Sequence, residues 1–275
     1  MKSSINLSSA KWLLPLFIAF FSSCQKEQVL KEGAAEAAIS RLSGDQQTAS
    51  ADQDTKYNTF NGTEIAVGNG YAHTFITQSH TGVPQELGIV FTHEALTGLA
   101  TVNTPYVLDF HHKALESTPF KHLALGWSAN GHPLPGGAFM PAHFDVRLFM
   151  MTLQDRLAIP APPAAPLYVL PPAGYMPSNY FSDVPAPQIG MHWAVNTFTP
   201  GSTVNHTMIL GSFNGAFTFV SPIVTRATLL NGTAVSLPYG QPQYFAQHGY
   251  YPRTYNVYKD DKDRHYVSLS NFVWR

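Results

Sequence analysis

The sequence predicts a mainly β protein, a β-rich sandwich or barrel-like fold with one or two short helices, and three observations carry that expectation. Short runs of β-branched and aromatic residues recur through residues 57–275, glycine and proline interrupt them at turn-like intervals, and only 12% of the chain is charged. Residues 64–67, 71–77 and 87–91 read as a meander, with Thr81-Gly82-Val83-Pro84 as a hairpin loop. Thr92 stands where it would cap a short helix over 93–96. Strands are expected again over 106–110, 122–127 and 143–152.

Residues 158–187 hold nine prolines, each of which removes a backbone donor and fixes φ, so this stretch is expected to be a long, stiff connection without regular strand or helix. It would either belt a site or join two β-rich halves, and the choice between one compact unit and two halves stays open. Beyond it, strands are expected over 191–195, 205–211, 216–220, 223–229, 255–258 and 266–269. Asn214-Gly215 supplies the positive φ values of a type I′ turn between two of them.

The N-terminal region has a different character. Lys2 and Lys11 precede an apolar run over 12–21 and then Ser22-Ser23-Cys24, the pattern of a secretory signal over 1–24. The run is too short to span a bilayer, and Cys24, the only cysteine, stands where a bacterial lipobox places the thiol that is acylated. Phe21 departs from the usual Leu or Val of that motif, and an ordinary signal cut nearby is the plain alternative. Gln25 in place of Asp favours the outer membrane. Residues 25–56 are polar and Ala-, Gln- and Ser-rich, with little to bury, and read as a flexible tether. The expected location is therefore the cell envelope, with a lipid anchor at Cys24 holding the domain on the outer membrane, towards the periplasm or the surface.

A formal net charge of −1 and a sequence pI near 6.9 leave no basic footprint for nucleic acid. With Cys24 acylated, any metal ligand must be His, Asp or Glu. Gly131-His132-Pro133-Leu134-Pro135, running into Pro141-Ala142-His143-Phe144-Asp145-Val146-Arg147, is the stretch richest in such groups. On a strand, His143, Asp145 and Arg147 share one face while Phe144, Val146 and Leu148 take the other, an apolar core. An imidazole–carboxylate pair of this kind suits a divalent transition metal such as zinc or iron. His132, His143, Asp145, His192 and His206 are the candidate metal ligands, and Arg147 joins them in a ligand-binding pocket.

Against this stands the plainer account that each of these histidines hydrogen-bonds within a β-rich interior. A facial iron triad is permitted by the spacing, but no Arg or Ser follows the distal His as a clamp for a 2-oxo acid, and no Gly-x-Ser-x-Gly elbow offers a nucleophile. His73, His80, His93, His111, His112, His122, His248 and His265 share no spacing and read as surface or structural residues. Tyr244, Tyr250, Tyr251, Tyr255, Tyr258 and Tyr266 read as packing.

Several short motifs occur in a fixed order: Val67-Gly68-Asn69-Gly70, Gly82-Val83-Pro84, Leu87-Gly88-Ile89, Gly131-His132-x-x-Pro135-Gly136, Pro141-x-His143-Phe144-Asp145, Gly190-Met191-His192-Trp193, His206-Thr207-x-Ile209-x-Gly211-Ser212-Phe213-Asn214-Gly215 and Pro222-Ile223-Val224-Thr225. In this the chain resembles the TTHB-type domain-of-unknown-function family of bacterial envelope proteins, over nearly all of residues 60–275. The resemblance implies an envelope location and a β-rich domain, and no established activity. Where that family usually has a further His two residues after the Asp, this chain has Arg147, and where a Glu usually precedes the family's Pro-Met-Ile-Thr stretch it has Ser221. A ligand and an acid are thereby missing, and Arg147 is left to pair with Asp145 or to grip a ligand carboxylate.

Taken together, these features favour binding of a small ligand or metal ion over catalysis, because the paired groups of acid–base or covalent chemistry are not placed. A metal-dependent envelope enzyme is the first alternative. A structural or self-assembling envelope protein, including a homo-oligomer, is the second.

Overall fold

A computed structural model describes residues 57–132, 139–196 and 203–275. The signal expected over 1–24 with Cys24, the tether expected over 25–56, and Pro133, Pro135 and Gly136 lie outside the described residues. Fifteen strands among the described residues form three sheets: β1 (Tyr57–Val67), β2 (Gly70–Ser79), β3 (Pro84–Phe91), β4 (Thr104–Asp109), β5 (His122–Ser128), β6 (His143–Phe149), β7 (Tyr180–Ala186), β8 (Gly190–Val195), β9 (His206–Phe213), β10 (Ala216–Thr225), β11 (Val235–Pro238), β12 (Tyr250–Tyr251), β13 (Thr254–Lys259), β14 (His265–Ser270) and β15 (Val273–Trp274). One sheet runs β1-β2-β3-β14-β13-β11, a second runs β4-β5-β6-β10-β9-β8-β7, and β12 and β15 form a small ribbon. The protein is mainly β, with its two large sheets arranged as a sandwich.

The core lies between the sheets. Ile76, Leu87, Ile89 and Phe91 of the first sheet and Leu123, Phe144, Leu148, Leu210 and Val224 of the second belong to one continuous buried cluster. Each such side chain, fully buried, contributes about 1.5–3 kcal/mol of transfer free energy. The Phe91 and Phe144 rings meet across the layers at 5.1 Å. Each large sheet draws strands from both sides of the proline-rich stretch, since β3 pairs with β14 and β6 with β10. The two β-rich parts are therefore layers of one core rather than successive halves of the sequence.

The hairpin turns follow their local chemistry. Gly82 has φ +80° between β2 and β3, and Asn214 and Gly215 take φ values of 48° and 80° between β9 and β10.

Five features differ from the sequence expectation. Thr92 precedes a 3-10 turn, His93–Leu96, but forms no side-chain cap. Its hydroxyl accepts the Tyr71 backbone N–H instead, fastening the turn to β2. The strand expected over 143–152 stops at Phe149, because Thr152 caps a helix α2 (Leu153–Leu157) by accepting from Asp155 N at 3.1 Å. The run 223–229 divides at Thr225, which caps helix α3 (Arg226–Asn231). Gly232, at φ 65°, closes that helix. The proline-rich stretch contains a 3-10 turn, Ala165–Tyr168, and ends in β7. As an edge strand β7 tolerates Pro185, at the cost of a register shift between Ser182 and Pro185. Helix α1 (His112–Ser117), capped by the His111 ring, was not foreseen.

Among the described residues no helix is long and apolar enough to cross a membrane.

Candidate functional site

The site grows from the alternation of β6. Phe144, Val146 and Leu148 enter the core between the sheets, so His143, Asp145, Arg147 and Phe149 occupy the opposite, outer face. That face is also covered. Phe149, Phe219, Ile223, Ile209, Ala194 and Phe139 make a second buried cluster there, and the Arg156 guanidinium of α2 lies 5.3 Å over the Phe149 ring. Asp145 is thus a carboxylate inside the protein, with 3% of its side chain exposed.

His132 arrives from the loop after β5. Gly131, at φ +62°, turns the chain; His132 N donates to Phe139 O at 3.1 Å, and the His132 ring stacks on Phe139 at 5.7 Å. This places His132 Nε2 3.0 Å from His143 Nε2 and 3.9 Å from Asp145 Oδ1. His143 Nε2 lies 3.7 Å from Asp145 Oδ2, which also accepts from Ser128 Oγ at 3.2 Å. His143 Nδ1 meets the Pro141 carbonyl at 2.7 Å. A carbonyl only accepts, so Nδ1 carries the proton and Nε2 presents its lone pair to the other two groups, as in a metal-binding imidazole whose other nitrogen donates to a backbone carbonyl. A tetrahedral zinc with ligands at about 2.0–2.1 Å separates them by about 3.3 Å, so small adjustments bring the three atoms onto one ion.

Arg147 Nη2 reaches Asp145 Oδ1 at 3.1 Å, so of the two roles open to it in the sequence this chain realises the ion pair. The consequences for charge are opposite at the two kinds of group. Burial alone would raise the Asp145 carboxyl, but the Arg147 cation first, and the His132 and His143 rings beside it, overcome that and hold it far below the ordinary range. Burial lowers His143, with Asp145 and the Pro141 carbonyl only partly opposing, which favours its uncharged form.

The ladder is interrupted beside this ion pair. Pairing between β10 and β6 holds at Phe219 and Val220 and resumes at Ile223, and Pro222, with no N–H to give, stands in the gap. The constant register sets Ser221 across from Arg147. Ser221 Oγ and Arg147 Nε are both buried without a hydrogen-bond partner.

His192 shares the outer face. Its Nδ1 donates to Val184 O at 2.8 Å and its ring packs edge-on against Phe219 at 6.0 Å. Burial first and the Arg147 cation second push it down to about 4. Asp145 partly opposes that shift, so His192 lies within its electrostatic reach, but His192 is not one of the three residues whose ligand atoms converge. His206 stands apart: Met208 and Leu210 fix its side of β9 as the one facing the core between the sheets, where its Nδ1 meets Tyr255 OH at 3.0 Å. The physical reason is parity, since even-numbered positions of β9 point away from the site.

Asp183, on β7, was not foreseen. Burial raises its carboxyl and His132 opposes that shift, which sets Asp183 within the electrostatic reach of His132. It lies in the proline-rich stretch, and nothing in its sequence neighbourhood signals a site. His93, Asp263 and His265 form a second gathering of ligand atoms at the first sheet.

Comparison with family models, with curated proteins and with solved structures gives no match.

Proposed function

We propose that this chain is a lipid-anchored cell-envelope protein, of the TTHB-type family it resembles, whose β-sandwich binds a divalent transition metal ion through His132, His143 and Asp145. The observation that carries the reading is the meeting of His132 Nε2, His143 Nε2 and the Asp145 carboxylate at 3.0–3.9 Å, with His143 Nδ1 committed to Pro141 O. Two imidazoles and one carboxylate favour zinc or iron over magnesium or calcium. Binding is preferred to catalysis because Asp145, held by Arg147, is a poor proton acceptor. The anchor at Cys24 rests on the sequence pattern alone.

The test is zinc and iron content of the full chain, purified without chelator or metal-affinity resin, followed by zinc titration of the stripped protein. Wild type should bind zinc with His132→Ala weakened at least tenfold and the fold retained by circular dichroism. Equal binding by wild type and His132→Ala at every site titrated would refute the assignment. Fatty-acid labelling that persists in Cys24→Ser would refute the anchor.

A second reading, a small carboxylate ligand gripped by Arg147, is supported by Arg147 Nε and Ser221 Oγ being buried without partners. It predicts acetate- or succinate-dependent thermal stabilisation that is unaffected by His132→Ala.

A further inference from the structure

We propose a second divalent-metal site, formed by His93, Asp263 and His265 at the end of the six-stranded sheet, independent of the His132/His143/Asp145 pocket. The three residues come from different positions along the chain: His93 from the 3-10 turn after β3, Asp263 from the β13–β14 turn, and His265 from the first position of β14. Strand pairing brings them together, because His265 is the direct partner of Phe91, two residues before His93.

His93 Nδ1 lies 3.1 Å from Asp263 Oδ2 and 3.2 Å from His265 Nε2. These spacings are close to the edge of about 3.3 Å expected between ligands of a tetrahedral zinc. The proton count also favours an ion. His93 Nδ1 has at most one proton, yet two groups face it, a carboxylate oxygen and the Nε2 of His265. The Leu229 backbone lies beside the His265 ring, whose Nδ1 is buried without a hydrogen bond of normal geometry. A proton on that Nδ1, directed to the Leu229 side, leaves Nε2 as a lone pair. One shared proton then faces two acceptors that repel each other, and a cation satisfies all three at once.

The ligands are also held in place before any ion arrives. Asp263 takes φ 60°, a conformation uncommon for a residue with a side chain, inside a turn stitched by Asp260 accepting from Lys262 N at 3.0 Å and Arg264 N at 2.9 Å. Lys259 Nζ takes Asp263 Oδ1 at 2.7 Å, which leaves Oδ2 directed at His93. His265 is buried, whereas the His93 and Asp263 side chains are 43% and 49% exposed. An ion can therefore enter from solvent, and water would complete its shell, as in an open zinc site. The donor set of two imidazoles and one carboxylate selects Zn²⁺, Co²⁺ or Cu²⁺ over Ca²⁺ and Mg²⁺.

The experiment is calorimetric titration of the stripped full chain with Zn²⁺, and with Co²⁺ read by its visible absorption. It compares wild type, His132→Ala, His93→Ala/Asp263→Asn and the combination of all three substitutions. His132→Ala should retain one zinc equivalent, with the intense visible Co²⁺ bands of a four-coordinate site, and the triple variant should lose both. The exposed positions of His93 and Asp263 allow them to be changed with the fold intact, as circular dichroism would verify. If the first site does not exist, wild type binds one equivalent that is lost in His93→Ala/Asp263→Asn alone, and the present proposal still stands. An equivalent that survives unweakened in the triple variant, or no equivalent in His132→Ala, overturns it.

Discussion

Replacing His122 with Phe should remove a large part of the protein's sensitivity to acid. His122 is 2% exposed, both its ring nitrogens are buried without a hydrogen-bond partner, and its ring lies flat on Phe149 at 5.2 Å and 4°. Burial first and the Arg156 cation second push it down from 6.5 to about 4, with Asp109 and the Met151 backbone opposing weakly. The folded state thus binds a proton less readily than the unfolded chain. Between those two values the unfolded chain carries the extra proton, so stability is full above about pH 6.5 and is lost as pH falls towards 4. At pH 5 the two titration curves differ by about 2 kcal/mol. Phenylalanine keeps the stacked ring and gives up no hydrogen bond of normal geometry, so at pH 7 the variant should lie within about 1.5 kcal/mol of wild type. The assay is urea unfolding of both proteins at pH 7 and pH 5. Relative to its own value at pH 7, the variant should lose about 2 kcal/mol less than wild type on acidification. The other titrating groups are common to both proteins and cancel. Parallel losses in wild type and His122→Phe would refute the reasoning.

Arg147→Met strands the Asp145 carboxylate in the covered face and should cost about 3–5 kcal/mol without metal, while adding Zn²⁺ should recover part of that loss through the freed Asp145; urea unfolding with and without Zn²⁺ checks both, and no recovery would count against Asp145 as a ligand. Glu86→Gln should stabilise the protein at pH 8. Burial raises that carboxyl to about 7 despite the Ser268 and Tyr258 hydroxyls, so the folded state holds a proton the unfolded chain has shed, and stability falls as pH rises from 4.5 to 7. Allowing for partial exposure, the gain should be roughly 1–2 kcal/mol, read as a pH-dependent shift in melting temperature. Gly211→Ala drives a Cβ into Cε1 of Phe219, a ring with no exposed surface, and should cost about 1–3 kcal/mol in denaturant unfolding.

The sequence alone determined what depends on neighbours along the chain. Period-two alternation set the two faces of β6, so the shared side of His143, Asp145 and Arg147 followed from parity. Asn214-Gly215 determined its hairpin because few other pairs adopt two positive φ values cheaply. The same local rule explains two of the errors. Thr92 and Thr225 look alike as capping residues, but only Thr225 caps, because β2 offers Thr92 a competing N–H from Tyr71.

Tertiary structure decided what depends on pairing between distant strands. His206 has the residue type of a ligand but sits at an even position of β9, and only the register of β9 against β10 tells which face that is. Asp183 reaches the neighbourhood of His132 because a proline-rich segment folds back as the edge strand β7. His93 and His265 are 172 residues apart and join because β3 pairs with β14. Local propensity acts over a few residues, whereas a site assembled across a sheet depends on which strands lie side by side and in what register, and those long-range choices are settled by burial of the whole core.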